Sequence, residues 1–187
     1  MYFFITGLIL FFATHLYSSF RNRTPSMDIK ERLGYMWFMG VYSIISGLGF
    51  VLIVWGFGLS RPSPQVFTPP SWSAYVTMAF MLPSFVLLFV AYGPQGYIKK
   101  AVKHPMLLSI ILWAGGHLLT NGELNSLFLF GSFLLYAIIN RIAVSGRPIP
   151  VKRVSIIGDI YAIVIGVAVY YLFIKYLHGM MIGVEIY

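Results

Sequence analysis

The chain has 187 residues, of which 59% are hydrophobic and only 10% are charged, and its formal net charge is +8 at pH 7. Its mean hydropathy of +0.83 lies well above that of soluble domains, which predicts an integral membrane protein. Cysteine is absent, and this excludes disulfides, thiolate nucleophiles and cysteine-ligated zinc or iron–sulfur sites.

Six apolar runs predict an all-α polytopic membrane protein, a bundle of about six transmembrane helices, because a span needs about 20 mostly apolar residues. The first run lacks a basic leader and a small-residue cleavage site, so we expect a retained helix. The runs and their loops occupy the sequence, which predicts a single transmembrane domain over residues 1–187 and no separate soluble domain. The runs are 2–20, 35–59, 73–92, 104–120, 124–140 and 155–177.

The basic residues are concentrated in alternate loops. The first, third and fifth loops hold 11 of the 13 Lys and Arg residues, and only Arg61 and Lys175 lie elsewhere. By the positive-inside rule these three loops are cytoplasmic and both termini lie outside. The positive charge therefore predicts contact with lipid headgroups and not with nucleic acid. The eleven are Arg21, Arg23, Lys30, Arg32, Lys99, Lys100, Lys103, Arg141, Arg147, Lys152 and Arg153.

The second apolar run carries five small residues. They allow close approach of another helix or of a flat ligand, and helix packing is the more common use. They are Gly40, Ser43, Ser46, Gly47 and Gly49.

The fourth run contains two histidines that are not equivalent. His104 stands at its cytoplasmic start and is followed by Pro105, which suits the first position of a helix. His104 is thus an interfacial residue helping to cap the helix or a functional one. His117 lies about 19 Å further along the axis and about 140° around it, so a straight helix cannot bring both imidazoles to one ion.

The surroundings of His117 are those of a ligand-binding face. Gly115 and Gly116 precede it and leave the backbone bare, while Trp113 and Asn121 lie four residues to either side on its face of the helix. This combination suits a bound cofactor better than it suits lipid.

His15 stands in the otherwise apolar first run with no charged partner in that helix. A lone histidine of this kind most often makes a hydrogen bond between helices, but His15 and His117 together suggest a shared ligand.

Two other polar residues in or beside the apolar runs, Asp159 and His178, are explained without a ligand. Asp159, near the start of the last run, is explained by an ion pair with Lys152 or Arg153 or by its place at a helix N-terminus. His178 is explained by its position after that run, at the outer interface.

The donor set narrows the choice of cofactor. Zinc needs three or four protein ligands, and no serine has the context of a catalytic nucleophile. Haem needs only one or two axial imidazoles and an apolar slot, so haem is the first choice among the cofactors considered.

The string from Lys103 to Gly122, KHPMLLSIILWAGGHLLTNG, resembles the core motif of the NnrU family of bacterial membrane proteins, whose relatives include the plant 15-cis-ζ-carotene isomerases. The resemblance covers nearly the whole chain, extending to THLYSS around His15, GVYSI from Gly40, TPPSW from Thr68 and the last helix with His178. It implies haem b held between two axial histidines, here His15 and His117. Trp113, Gly115, Gly116 and Asn121, which the helix around His117 already indicated as cofactor-binding, would then lie beside the haem. His104 matches a basic-His-Pro motif of unassigned role.

The family also implies a multi-pass protein of the bacterial inner membrane, so the termini that the basic residues place outside would be periplasmic. Its function would be redox work linked to denitrification, or redox-dependent cis–trans isomerisation of a polyene like ζ-carotene. Partners would be membrane lipid and either a polyene substrate or a redox protein, and the catalytic residues and oligomeric state stay open. One departure is Ala114, where the plant enzymes have cysteine, so chemistry that depends on that thiolate is not expected.

Two alternatives remain open. The chain could be a non-catalytic assembly or transport factor for nitric oxide or nitrite reductase. It could also be an S-adenosylmethionine-dependent membrane methyltransferase, since Lys103-His-Pro-Met is similar to the Arg-His-Pro segment of isoprenylcysteine carboxyl methyltransferases. Those enzymes continue with a segment containing glutamate, and residues 140–154 here contain no acid.

The expected His15 and His117 pair carries a geometric demand. Counted from the cytoplasmic helix ends, His15 lies about 7 Å along its helix and His117 about 19 Å along its own. Helix tilt or an outward displacement of the first helix must absorb the difference of about 12 Å.

Overall fold

A computed structural model describes residues 1–21, 24, 27–147 and 153–183 of the chain. In these residues the secondary structure is helical apart from one isolated bridge between Gln65 and Glu123. The prediction of an all-α protein is therefore confirmed. The elements are α1 (Tyr2–Phe20), α2 (Ile29–Leu33), α3 (Tyr35–Leu59), α4 (Ser73–Tyr92), α5 (Tyr97–Val102), α6 (Pro105–Thr120), α7 (Leu124–Val144), α8 (Ile156–Leu172), a π-helical turn (Phe173–Leu177) and α9 (His178–Ile182).

Among the described residues, five helical segments are long and apolar enough to cross a membrane: α1, α3, α4, α7 and the continuous stretch Ile156–Met180. Their number and composition agree with a polytopic membrane protein. The sixth apolar helix, α6, has 16 residues and is therefore about 24 Å long, shorter than a hydrocarbon core of about 30 Å. The helix that carries His117 is thus the shortest of the six predicted spans.

The described helices fall into two compact units. The first consists of Met1–Thr68 and Gly122–Ser145 and contains α1, α2, α3 and α7. The second consists of Pro69–Asn121 and Gly146–Tyr187 and contains the remaining helices. The single domain over residues 1–187 stays a prediction.

In the first unit α1 packs closely on α3, and α7 packs on α1. Glycines make the α1–α3 approach possible: a Cβ atom at Gly49 would lie 2.8 Å from the backbone nitrogen of Phe11, and one at Gly7 would lie 2.6 Å from that of Ile53. Ser46 and Gly49 are buried on this face, whereas Gly40, Ser43 and Gly47 are exposed on α3. Helix packing therefore explains Gly49, as we expected for the small residues of this helix.

In the second unit α4 packs on both α6 and α8. Ser84 and Ser109 join α4 to α6, each hydroxyl donating to the other residue's carbonyl oxygen at 2.9 Å and 2.8 Å. Such reciprocal bonds satisfy polar groups that lipid would leave unpaired. They fix α6 lengthwise against α4.

Asp159 joins α8 to the short helix α5. It lies in the first turn of α8, as expected, and is 5% exposed. Its two carboxylate oxygens accept from the backbone N–H groups of Tyr97 at 2.8 Å and Ile98 at 3.0 Å. Backbone N–H groups therefore satisfy the hydrogen-bonding needs of the buried carboxylate. The sequence had also suggested an ion pair with Lys152 or Arg153, of which Lys152 lies outside the described residues.

Candidate functional site

His15 lies on α1 in the first unit, with its ring fixed by the backbone of its own helix. Its Nδ1 atom is 2.7 Å from the carbonyl oxygen of Phe11, one turn earlier. Because a carbonyl oxygen can only accept, Nδ1 carries the proton and donates it. In the neutral ring the lone pair is then on Nε2, which is the nitrogen a metal would use.

Aromatic rings from three helices surround His15. The ring of Phe11 stacks on the imidazole with centroids 4.1 Å apart, and the rings of Tyr42 on α3 and Tyr136 on α7 lie at 5.4 Å and 5.8 Å. These contacts hold the imidazole in one orientation at a half-buried position. They form a mostly apolar, aromatic environment around the ring.

Tyr136 and Asn140 add hydrogen-bonding groups on α7. The Asn140 side-chain amide donates to the Tyr136 hydroxyl at 2.8 Å, while its oxygen is buried without a hydrogen-bond partner among the described residues. Tyr42, Tyr136 and Asn140 were not among the site residues predicted from the sequence. For the last two the available signal was a tyrosine and an asparagine one turn apart in a run that is otherwise apolar.

His117 lies on α6 in the second unit, and its ring is held in the same way as that of His15. Its Nδ1 atom is 2.8 Å from the carbonyl oxygen of Trp113, so Nδ1 is the donor here too. The Trp113 ring lies 5.5 Å from the imidazole, and the Asn121 amide donates to the carbonyl oxygen of His117 at 2.8 Å. Trp113 and Asn121 therefore contact His117 as predicted, and their part in holding a cofactor stays a prediction.

The two glycines before His117 have different surroundings. Gly116 is buried against α4, where a Cβ atom would lie 3.1 Å from Met81 Cε and 3.3 Å from Thr77 Cγ2. A Cβ atom at Gly115 would have no neighbour within 4 Å. Gly115 is also about 200° around the helix from His117, on the opposite side. Helix packing accounts for Gly116, and cofactor contact at either glycine stays a prediction.

His104 occupies the N-cap position of α6, with Pro105 in the first helical position as predicted. Its side chain makes no capping hydrogen bond, so the helix start is defined by the backbone. Lys103 has φ +65° and ψ −56°, and the His104 N–H donates to the carbonyl oxygen of Val102 at 2.8 Å. This is a classic γ-turn, a rare and strained arrangement at the boundary of the motif.

His178 begins α9 after the π-helical turn, and its ring lies 6.0 Å from that of Phe173. The second unit thus brings Trp113 and Asn121 together with His117, and it also contains His104, at the other end of α6, and His178, at the start of α9. His15 belongs to the first unit.

The side chains that could bind a metal are the histidines and the carboxylates. Within the described ranges no three histidine, aspartate or glutamate side chains form a group that could hold a metal ion. Haem iron needs only axial ligands, and two imidazoles with the lone pair on Nε2 fit that need. In addition, the Nε atom of Arg21, at the end of α1, is a buried donor without a partner in the described chain, which suits a propionate.

A family model described as NnrU protein matches residues 3–186, nearly the whole chain. No curated protein matches the chain. No solved structure matches it either.

Proposed function

Since the chain belongs to the NnrU family, we propose that it is a haem b-binding membrane protein in which His15 and His117 are the axial ligands. It serves either the cis–trans isomerisation of a polyene similar to ζ-carotene, a redox-neutral reaction that depends on the redox state of the haem, or electron transfer linked to the reduction of nitrite or nitric oxide. The protein resides in the bacterial inner membrane with periplasmic termini, the orientation that the distribution of basic residues supports.

The observation that carries the proposal is the matched state of the two imidazoles. Each donates from Nδ1 to the carbonyl oxygen four residues earlier, at 2.7 Å for His15 and 2.8 Å for His117. A hydrogen bond from the non-ligating nitrogen to a carbonyl is the usual support of a metal-bound histidine, since it fixes the tautomer and raises the basicity of the other nitrogen. Two independent units present their histidines in this one form.

The surrounding residues support a flat, apolar cofactor. Phe11, Tyr42 and Tyr136 line the His15 ring, and Trp113 lines that of His117. Haem b, when bound, would supply one-electron redox chemistry at iron. The protein itself would hold the haem through the two imidazoles, keep water away from it and admit an apolar partner from the lipid.

The two reactions make different demands on the histidines. Electron transfer needs both imidazoles to stay in place. For isomerisation, either His15 or His117 would have to release the haem so that the polyene could bind in its place. Ala114, in the place of the plant enzymes' cysteine, supplies no thiolate for this exchange.

The test is the absorption spectrum of the full chain, purified in detergent after expression with 5-aminolaevulinate and iron. We expect a Soret band of low-spin haem b and about one haem per chain by the pyridine haemochrome assay. A colourless protein under these conditions would contradict the proposal and favour the non-catalytic assembly factor, which should instead co-purify with a reductase subunit. Micromolar binding of S-adenosylmethionine by calorimetry would favour the methyltransferase.

Assays of the haem-loaded protein then distinguish isomerisation from electron transfer. Incubation with a cis isomer of ζ-carotene and a reductant, followed by chromatography of the extracted polyene, should yield the trans product if the protein is an isomerase. Unchanged polyene together with fast reduction and reoxidation of the haem by small redox mediators would assign it to electron transfer.

A further inference from the structure

The α4 side of the His117 turn contains a residue that the proposed function leaves without a role. Thr77 is buried, at 8% exposure, and its hydroxyl lies 2.6 Å from the carbonyl oxygen of Gly116. The same hydroxyl is 3.0 Å from the carbonyl oxygen of Ser73 and 3.4 Å from the Thr120 hydroxyl. A threonine hydroxyl has one proton, and the shortest of these contacts identifies Gly116 as its acceptor.

The bond from Thr77 acts on the peptide group that joins Gly116 to His117. His117 lies in the last turn of α6, which ends at Thr120, so little helix follows it to hold its backbone. On the imidazole side, the Trp113 carbonyl oxygen holds Nδ1. On the other side, Thr77 holds the Gly116 carbonyl, and the missing Cβ of Gly116 lets α4 come this close.

We propose that Thr77 is a positioning residue for His117: its hydroxyl fixes the Gly116–His117 peptide and thereby the direction in which Nε2 of His117 points. The inference rests on the proposed role of His117 as a haem ligand. It assigns α4 the task of supporting that ligand without contributing one itself.

A purely structural role in α4–α6 packing is the competing explanation, and the chain provides a control for it. Ser84 lies seven residues after Thr77 on the same helix and makes the same kind of bond, from its hydroxyl to the carbonyl oxygen of Ser109 at 2.9 Å. Ser109 is eight residues before His117 in sequence. Loss of the Ser84 hydroxyl therefore weakens the same helix pair without touching the His117 turn.

The experiment compares Thr77→Val, Thr77→Ser and Ser84→Ala in the full chain, each purified in detergent. Loss of a bond worth about 1 kcal/mol corresponds to about a fivefold change in an equilibrium. We expect Thr77→Val to lose haem to apomyoglobin about five times faster than the wild type and to show a shifted low-spin electron paramagnetic resonance signal. Thr77→Ser should restore both properties, and Ser84→Ala should leave both close to the wild type.

A second measurement does not depend on haem. In 15N-histidine-labelled, haem-free protein, Thr77→Val should weaken or broaden the Nδ1–H signal of His117, assigned from its loss in His117→Ala, whereas Ser84→Ala should not. If the wild type binds no haem, the proposed function fails and this signal still decides the inference. Equal effects of Thr77→Val and Ser84→Ala, or no effect of Thr77→Val, would overturn it. If Thr77→Val does not accumulate, Thr77→Ala removes the same hydroxyl with less change of shape.

Discussion

The carbonyl oxygen of Phe11 accepts a hydrogen bond from Nδ1 of His15 at 2.7 Å, and the backbone of the same Phe11 lies against Gly49 of α3. A Cβ atom at Gly49 would lie 2.8 Å from Phe11 N and 3.1 Å from Phe11 Cα. The position of the His15 ring is therefore coupled to how closely α3 approaches α1.

This coupling predicts opposite outcomes for two neighbouring glycines. Gly49→Ala should destabilise the protein by about 1–3 kcal/mol, because backbone atoms of α1 must move, and it should weaken haem binding at His15. Gly47→Ala should be neutral or stabilising by up to about 1 kcal/mol, since its Cβ atom would have no neighbour within 4 Å. Thermal unfolding and the Soret band of both variants provide the measurement. Equal stability of the two would show that α1 and α3 are not in close contact.

Asp28 predicts a pH dependence in the first loop. It caps α2 by accepting from the Lys30 N–H at 3.0 Å, and it forms an ion pair with Arg21 at the end of α1. The hydrogen bond from the Arg21 guanidinium holds the pKa of Asp28 below its ordinary value. The folded state thus binds fewer protons than the unfolded state, so the stabilisation is present above the ordinary carboxyl range and is lost as the pH falls through the lowered pKa.

Limited proteolysis of the segment between α1 and α3 measures this dependence. In the wild type, cleavage should accelerate as the pH falls below about 4. Asp28→Asn keeps a side-chain acceptor for the α2 cap but loses the ion pair, so it should be cleaved faster at neutral pH and show little further change in acid. Glu31→Gln removes another carboxyl group of α2 and should keep the wild-type profile. A wild-type profile in Asp28→Asn would disprove the role of this pair.

Asp159 gives a prediction for the second unit. Asp159→Ala leaves the N–H groups of Tyr97 and Ile98 without their acceptor and should cost about 1–3 kcal/mol of stability. Asp159→Asn keeps one acceptor oxygen and should cost less. Arg153→Gln should have little effect on the unfolding midpoint. If Arg153→Gln costs as much as Asp159→Ala, an ion pair would be the correct explanation of this carboxylate.

Much of the fold could be predicted because each span is set by local properties of the chain. Apolar length placed α1, α3 and α4 at their observed ends, and Pro105 marked the start of α6. Helical periodicity also placed Trp113 and Asn121 beside His117, since residues four apart share a face. These features depend on the sequence within one helix.

The remaining features depend on contacts between helices that periodicity does not encode. The hydrogen bond from the Thr77 hydroxyl to Gly116 joins residues 39 positions apart, and that from the Tyr97 N–H to Asp159 joins residues 62 apart. A threonine in an apolar run could equally have bonded to its own helix. For the same reason the sequence indicated His15 but missed Tyr42 and Tyr136, which come from two other helices.

The central claim is that His15 and His117 are the haem ligands, and the spectrum of histidine variants tests it most directly. His15→Ala and His117→Ala should each lose the low-spin Soret band, and the double variant should purify without haem. His104→Ala and His178→Ala, which remove the other two histidines of the chain, should keep the wild-type band. A double variant with an unchanged haem spectrum would contradict the account, as would loss of the band only in His104→Ala or His178→Ala.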